Sequence, residues 1–327
     1  MDLFTIMKEY QESIGKPNSD TSINLFVSNI RLLRQKMKLE GPMVDLDFLQ
    51  DYETVFKLFD DSPNTTFRNY LNAIFAALSA IQIYPEILKI YTSKRDDSND
   101  KYREDNEAGF ISQHQADNMI GYPQIMEIKE NLGEEVKHTM VKTSKHLKNP
   151  GEYPISNLDK QKFQMYVLLT ILTKFPRRNE VANLVKITTK EYEKLDEETK
   201  SKTNYLVTGK TYKFSFNDYK TNRHYKEAVL EISPEDKKII SKWVKLSQDL
   251  PLFRTISSGK ELSKKGLSTM LSKFFVMTCG KQVSTTLLAK AFMSHHLDPD
   301  MAQKLKDMAA ARGHSVSTML NIYIKQK

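Results

Sequence analysis

The apolar residues of this chain recur mostly at helical spacing. Over residues 21–37, Ile23, Phe26, Val27, Ile30 and Leu33 share one face and leave Arg31, Arg34 and Lys36 towards solvent, which predicts an amphipathic helix. Ser62-Pro63-Asn64-Thr65 punctuates the chain before a second such pattern at 66–83. There Tyr70, Ile74, Leu78 and Ile81 form the buried stripe, Arg68 and Asn69 lie in the first turn, and Pro85 interrupts the helix. Residues 93–101 contain no apolar side chain, so 93–107 reads as a linker. Helical spacing resumes over 110–148, with a break at Gly121-Tyr122-Pro123. It resumes again over 160–174, where Pro176 stops it.

Between 205 and 232 the period shortens to two. Leu206-Val207-Thr208, Tyr212-Lys213-Phe214-Ser215-Phe216 and Ala228-Val229-Leu230-Glu231-Ile232 alternate and are rich in β-formers. They predict a small antiparallel sheet whose last turn is Asp218-Tyr219-Lys220-Thr221-Asn222-Arg223. After Ser233-Pro234 the pattern is helical to the end. The expected fold is therefore mainly α with a small antiparallel β-sheet. Its expected domains are a helical unit over 1–92, the linker over 93–107 and a larger domain over 108–327.

Composition narrows the class. A chain of 327 residues can bury two cores. A hydrophobic fraction of 39% and a mean hydropathy of -0.52 describe a globular protein. The longest apolar stretches, 166–172 and 73–83, are too short or too interrupted to span a bilayer. The first eight residues lack the layout of a secretory signal. A single cysteine, Cys279, excludes an intramolecular disulfide and cysteine-based zinc sites, and fits a reducing, intracellular compartment. The net charge of +8 favours a polyanionic partner, moderately, because 41 acidic residues remain.

The candidate chemistry lies in four places. The chain closes on Arg312-Gly313-His314-Ser315, with Tyr323 nine positions after the histidine. Thr173-Lys174-Phe175-Pro176-Arg177-Arg178-Asn179-Glu180 precedes an apolar run. Lys220 sits in the turn before the last strand. Ser284-Thr285-Thr286-Leu287-Leu288-Ala289-Lys290-Ala291-Phe292 opens a late helix. Taken singly, each has a bland reading: solvated arginines at a helix start, a turn lysine, a capping histidine, a core tyrosine.

Together they resemble the tyrosine recombinases, the phage-integrase-type enzymes that break and rejoin DNA. A phosphodiester repels nucleophiles. Cleaving it without metal requires cations on its non-bridging oxygens and a proton for the leaving 5′-oxygen. The resemblance supplies those groups. Glu180 sets the register that makes Arg177 the first phosphate-binding arginine, with Arg178 as fallback; Phe175 stands where the family usually has a small residue. Lys220 becomes the proton donor, with Lys210, Lys213 and Lys226 as competitors. His314 binds the phosphate, and Tyr323 is the nucleophile that forms a 3′-phosphotyrosyl link. The motifs look most like those of large DNA viruses and mobile elements.

One position departs from the family. With Phe292 as anchor, Thr286 takes the usual histidine place and Ala289 the place of the second arginine. Three explanations stand: a change introduced to block or trap cleavage, a natural inactive relative, or Lys290 substituting after a shift of one residue. The first is favoured because the other elements remain. The resemblance further implies a C-shaped, two-domain clamp on double-stranded DNA and a homotetramer working through a four-way junction. It implies no cofactor, no metal and no membrane. The rivals are a type IB topoisomerase, a silent DNA-binding relative, and a helical interaction protein with accidental matches. Many family members also carry a further helix after the tyrosine, whereas four residues follow Tyr323 here; a truncation or a different assembly contact is expected.

Overall fold

The computed structural model describes residues 2–107, 109, 111–219, 226–248, 250–313 and 316. The chain is mainly helical, 65% of it, with one small four-stranded mixed sheet. It divides into two units, Met1–Ser112 and Gln113–Lys327.

The first unit is built from α1 (Leu3–Ser13), α2 (Asp20–Lys36), α3 (Tyr52–Lys57), α4 (Asn64–Ile81) and α5 (Pro85–Glu107). Asp2, Ser19 and Asp51 cap α1, α2 and α3, each accepting a backbone N–H three residues on. The expected stripes of α2 and α4 meet: Ile23, Ile30, Leu33, Leu71, Ile74 and Leu78 are fully enclosed, with Met7 from α1 and Tyr91 from α5.

Two expectations are corrected here. Arg34 does not face solvent. It continues the stripe 23–27–30–34, is 4% exposed, and donates from Nη1 and Nη2 to the carbonyls of Asp45 and Glu40. Its stem packs while its head satisfies a loop. The expected linker 93–107 is instead the greater part of α5. A helical stripe is present there, but its members are Tyr91, Arg95, Ser98 and Tyr102. Arg95 stacks on Phe75 at 3.8 Å and pairs with Asp96. Ser98 donates to Asn64 Oδ1 at 2.6 Å, and Tyr102 lies 3.7 Å from the Arg68 guanidinium. Polar residues do the packing that the linker reading reserved for apolar ones.

The second unit begins with α6 (Gln113–Asn118), α7 (Tyr122–Lys148) and α8 (Asn157–Leu172). α8 is apolar nearly all round, and Phe163, Val167, Leu168, Leu169 and Leu172 place it at the centre of the core. Then come β1 (Val185–Thr188), α9 (Thr189–Glu193), α10 (Glu197–Ser201), β2 (Tyr205–Thr208), β3 (Lys213–Phe216) and β4 (Ala228–Glu231). Four helices close the unit: α11 (Pro234–Leu246), α12 (Lys264–Cys279), α13 (Thr285–His296) and α14 (Pro299–Ala311).

The sheet order is β1-β2-β3-β4. β2–β3 and β3–β4 are antiparallel as expected, but β1 pairs parallel with β2. A parallel pair needs a long crossover, and α9 with α10 provides it over residues 189–204. β2 is buried on both faces: Leu206 joins the main core, while Tyr205 and Val207 pack under Tyr192 of α9.

Gln164 of α8 ties this unit together at long range. It is 1% exposed, accepts from the backbone N–H of Arg254 at 3.0 Å and donates to the Arg254 carbonyl at 2.9 Å. Gln164→Ala leaves the buried N–H and C=O of Arg254 without partners. The expected loss is about 2–5 kcal/mol, read as a lower midpoint in urea at constant m. An unchanged midpoint would show that water replaces the amide. No described helix is long and apolar enough to cross a membrane.

Candidate active site

The segment that carries Arg177 leaves the core at the end of α8. Thr173 caps that helix, and Phe175 turns back to Ile171 through its N–H. The arginine was expected to open an α-helix. It precedes a single 3-10 stretch, Asn179–Asn183, which runs directly into β1. The stretch is too short for an α-helix because Val181, Ala182 and Leu184 must reach the core on the way into the strand.

Arg177 is half-buried, and its guanidinium lies over two rings, 4.4 Å from the centre of Phe216 and 4.8 Å from that of Tyr219. Such stacking stabilises a desolvated cation. Its Nε and Nη2 atoms are buried and have no hydrogen-bond partner among the described residues. Glu180 Oε2 and Asn183 Oδ1 share that condition. Buried polar atoms without partners are uncommon in folded proteins. Arg177 is therefore a half-buried cation laid on two rings, with no carboxylate paired to it among the described residues. Arg178, the fallback, is exposed.

The sheet explains why Phe216 meets Arg177. Side chains alternate along β3, so Phe214 and Phe216 share one face while Lys213 and Ser215 take the other. On that other face, Ser215 Oγ lies 2.9 Å from the Tyr192 hydroxyl and the Lys213 ammonium sits over the Tyr192 ring at 5.4 Å. Lys213 thus points away from Arg177, which weighs against it as a competitor for Lys220.

The late helix is brought to the same place. Ser284 caps α13 by accepting the N–H of Leu287. Next to it, Thr285, 4% exposed, donates its hydroxyl to Asn179 Oδ1 at 2.8 Å. That bond joins the first turn of α13 to the residue two after Arg177. Leu287, Leu288 and Ala291 face the core. Thr286 is exposed and Ala289, one turn later, is half-buried, so both lie off the core face. Lys290 is half-buried and donates to Gln115 Oε1 of α6 at 2.8 Å. The anchor Phe292 packs against Tyr122 and His296.

Lys220, His314 and Tyr323 lie outside the described residues. Gly313, just before His314, has φ of 68°, the left-handed conformation expected after α14. Sequence reading missed the parts that hold the arginine: the Phe216 and Tyr219 rings and the Asn179–Thr285 bond. The alternation of β3 signalled that Phe216 faces the core side; nothing local signalled an arginine upon it.

A cavity of about 860 Å³ lies elsewhere in this unit, between α7, α8 and α12, walled by Ile128, Met165, Met270 and Phe274. It contains none of the expected site residues. The chain matches no protein-family model and no curated protein.

Proposed function

We propose that this chain is a DNA strand transferase of the tyrosine-recombinase kind. The observation that carries the reading is Arg177: a half-buried guanidinium over two rings, with two buried N–H-bearing atoms that no described residue engages. An oxyanion of phosphate is the chemistry that completes such a group. The bond from Asn179 to Thr285 supports it, because it draws the helix bearing Ala289 to the same segment.

In this reading the Tyr323 hydroxyl gives up its proton to solvent as its oxygen attacks a backbone phosphorus and forms an O–P bond. Arg177 stabilises the five-coordinate phosphate, and His314 hydrogen-bonds it. Lys220 gives its proton to the 5′-oxygen as the P–O bond to that oxygen breaks. The product is a 3′-phosphotyrosyl link, which keeps the bond energy for rejoining. Neither metal nor nucleotide enters the step. Four copies act on two duplexes through a four-way junction, inside a cell. Ala289 gives weight to a second reading, in which the chain binds DNA without cleaving it.

The test is covalent capture on a nicked suicide duplex, with arginine placed at position 289. An adduct on a denaturing gel without added metal supports strand transfer. Binding with no adduct leaves the silent relative, and no binding removes both.

Binding itself carries a prediction. If both units contact phosphates, affinity falls steeply with salt, by roughly a hundredfold or more between about 50 and 200 mM for six or so neutralised phosphates. Fluorescence anisotropy with a labelled duplex measures the slope. A flat response would mean that phosphates are not the main contact.

A further inference from the structure

We propose that Tyr219 is a positioning residue for Arg177, and that Asn204 holds Tyr219 in place. The proposal rests on the strand-transfer reading above and gives a role to two residues that it leaves without one.

An arginine grips two phosphate oxygens only when its plane is fixed. A ring stacked on a guanidinium engages its face and leaves its in-plane N–H groups free. Arg177 has that arrangement: Phe216 and Tyr219 lie against it while Nε and Nη2 stay unengaged by described residues. The two rings are not equivalent. Phe216 is fully enclosed and packs on Phe214 at 5.9 Å, so it belongs to the core with or without the arginine. Tyr219 belongs to the same core but at its edge, 9% exposed and just past the strand.

A ring at a margin needs its own restraints, and Tyr219 has them at both ends. Its hydroxyl donates to the Lys226 carbonyl at 2.6 Å, across the base of the hairpin. Lys226 itself takes a left-handed φ of 53°. On the backbone side, Asn204 is completely buried and laces the two residues before Tyr219. Its Oδ1 accepts the N–H groups of Asn217 and Asp218, each at 2.8 Å, and its Nδ2 donates to the Asp218 carbonyl at 2.9 Å. Asn217 returns a bond from Nδ2 to the Thr203 carbonyl at 3.0 Å. One amide thus fixes the direction in which the chain delivers the Tyr219 ring. A turn that needed only to close has no use for three bonds from one buried side chain, or for a ring laid on a cation.

The experiment uses the full chain with Ala289→Arg as parent. It measures single-turnover cleavage at saturating duplex, duplex affinity, and the Nε–H resonance of Arg177, assigned by its loss in Arg177→Lys. Misplacing a reacting group by about an ångström can cost on the order of a hundredfold in rate. Tyr219→Leu is therefore expected to slow cleavage about a hundredfold with affinity nearly unchanged, the mark of an interaction made in the transition state. Tyr219→Phe keeps the ring and loses one hydrogen bond, so its loss stays below about tenfold. Asn204→Ala falls in the direction of Tyr219→Leu.

Tyr192→Phe is the structural control. It breaks the hydroxyl bonds to Ser215 and Glu227 on the opposite face of the sheet, and it is expected to lower thermal stability while leaving cleavage alone. In the parent, the Arg177 resonance shifts on titration with inorganic phosphate. That shift persists in Tyr219→Phe and is lost in Tyr219→Leu. Parent-like cleavage in Tyr219→Leu, or equal slowing in Tyr192→Phe at matched stability, overturns the proposal. If the parent forms no adduct, the strand-transfer reading fails. The resonance still decides on positioning, because an unmoved, phosphate-responsive signal in Tyr219→Leu refutes it.

Discussion

Ala289→Arg is expected to raise the rate of DNA cleavage at least about a hundredfold while changing duplex affinity little. Removing one preorganised donor from an oxyanion typically costs about 3–4 kcal/mol of transition-state stabilisation, a factor of 10²–10³ in rate, and restoring it returns that factor. Affinity is spread over many phosphate contacts and one more shifts it only modestly. Position 289 lies off the packed face of its helix. Leu287, Leu288 and Ala291 carry the packing of α13, whereas position 289 is half-buried, on the side of the helix that bears exposed Thr286. Stability should therefore stay within about 0.5 kcal/mol, as for a surface change. Ala289→Lys should recover less, since an ammonium cannot grip two oxygens from a fixed plane. The shifted register makes an opposite forecast. If Lys290 is the second cation, the chain cleaves as it stands and Lys290→Ala stops it. The bond from Lys290 to Gln115 at 2.8 Å weighs against that, because it engages the ammonium with α6. Single-turnover rates for the four proteins, beside their affinities, separate the two accounts. An inert Ala289→Arg protein together with an indifferent Lys290→Ala would leave the silent DNA-binding reading.

The parts of the fold that were legible were those whose burial is written in apolar residues at one period. α2, α4 and α8 lie close to where their stripes place them, because Ile23, Ile30, Ile74, Leu78, Val167 and Leu168 have nowhere else to go. The parts that were not legible use polar residues for packing or depend on distant partners. α5 hides its stripe in Arg95, Ser98 and Tyr102, whose burial is visible only once Phe75, Asn64 and Arg68 stand opposite. β1 is four residues long and acquires its parallel partner only after the 189–204 crossover. The same division runs through the candidate site. Spacing could nominate Arg177 and Ala289, but not the bond that joins their segments, since Asn179 and Thr285 are 106 residues apart. Nor could it say that Lys213 and Phe216, three positions apart in one strand, serve opposite faces with opposite consequences for the lysine assignment.

Tyr323→Phe is expected to abolish the covalent adduct in the Ala289→Arg protein and to leave noncovalent duplex binding within roughly a factor of a few. The substitution removes one oxygen. Without it nothing remains at that position to attack phosphorus, and no partial activity is available from the oxygen-binding groups, because they stabilise a charge that never forms. Binding draws on phosphate contacts elsewhere and is spared. The forecast is specific because the other candidate hydroxyl is already named. Tyr219 is the tyrosine laid against Arg177, but its hydroxyl is committed to the Lys226 carbonyl at 2.6 Å and its ring is nearly enclosed, so it is poorly placed to be a nucleophile. Further phenols are engaged in the same way: Tyr91 with the Leu49 carbonyl, Tyr122 with that of Thr173, Tyr192 with Ser215 and Glu227. A denaturing gel reads the adduct, and digestion followed by mass spectrometry of the nucleotide-bearing peptide names its residue. Loss of the adduct in Tyr323→Phe, with the modified peptide containing position 323 in the parent, assigns the nucleophile. An adduct that survives Tyr323→Phe and disappears in Tyr219→Phe transfers the chemistry to Tyr219, and the stacking of two rings on Arg177 then becomes the nucleophile's own setting rather than its support.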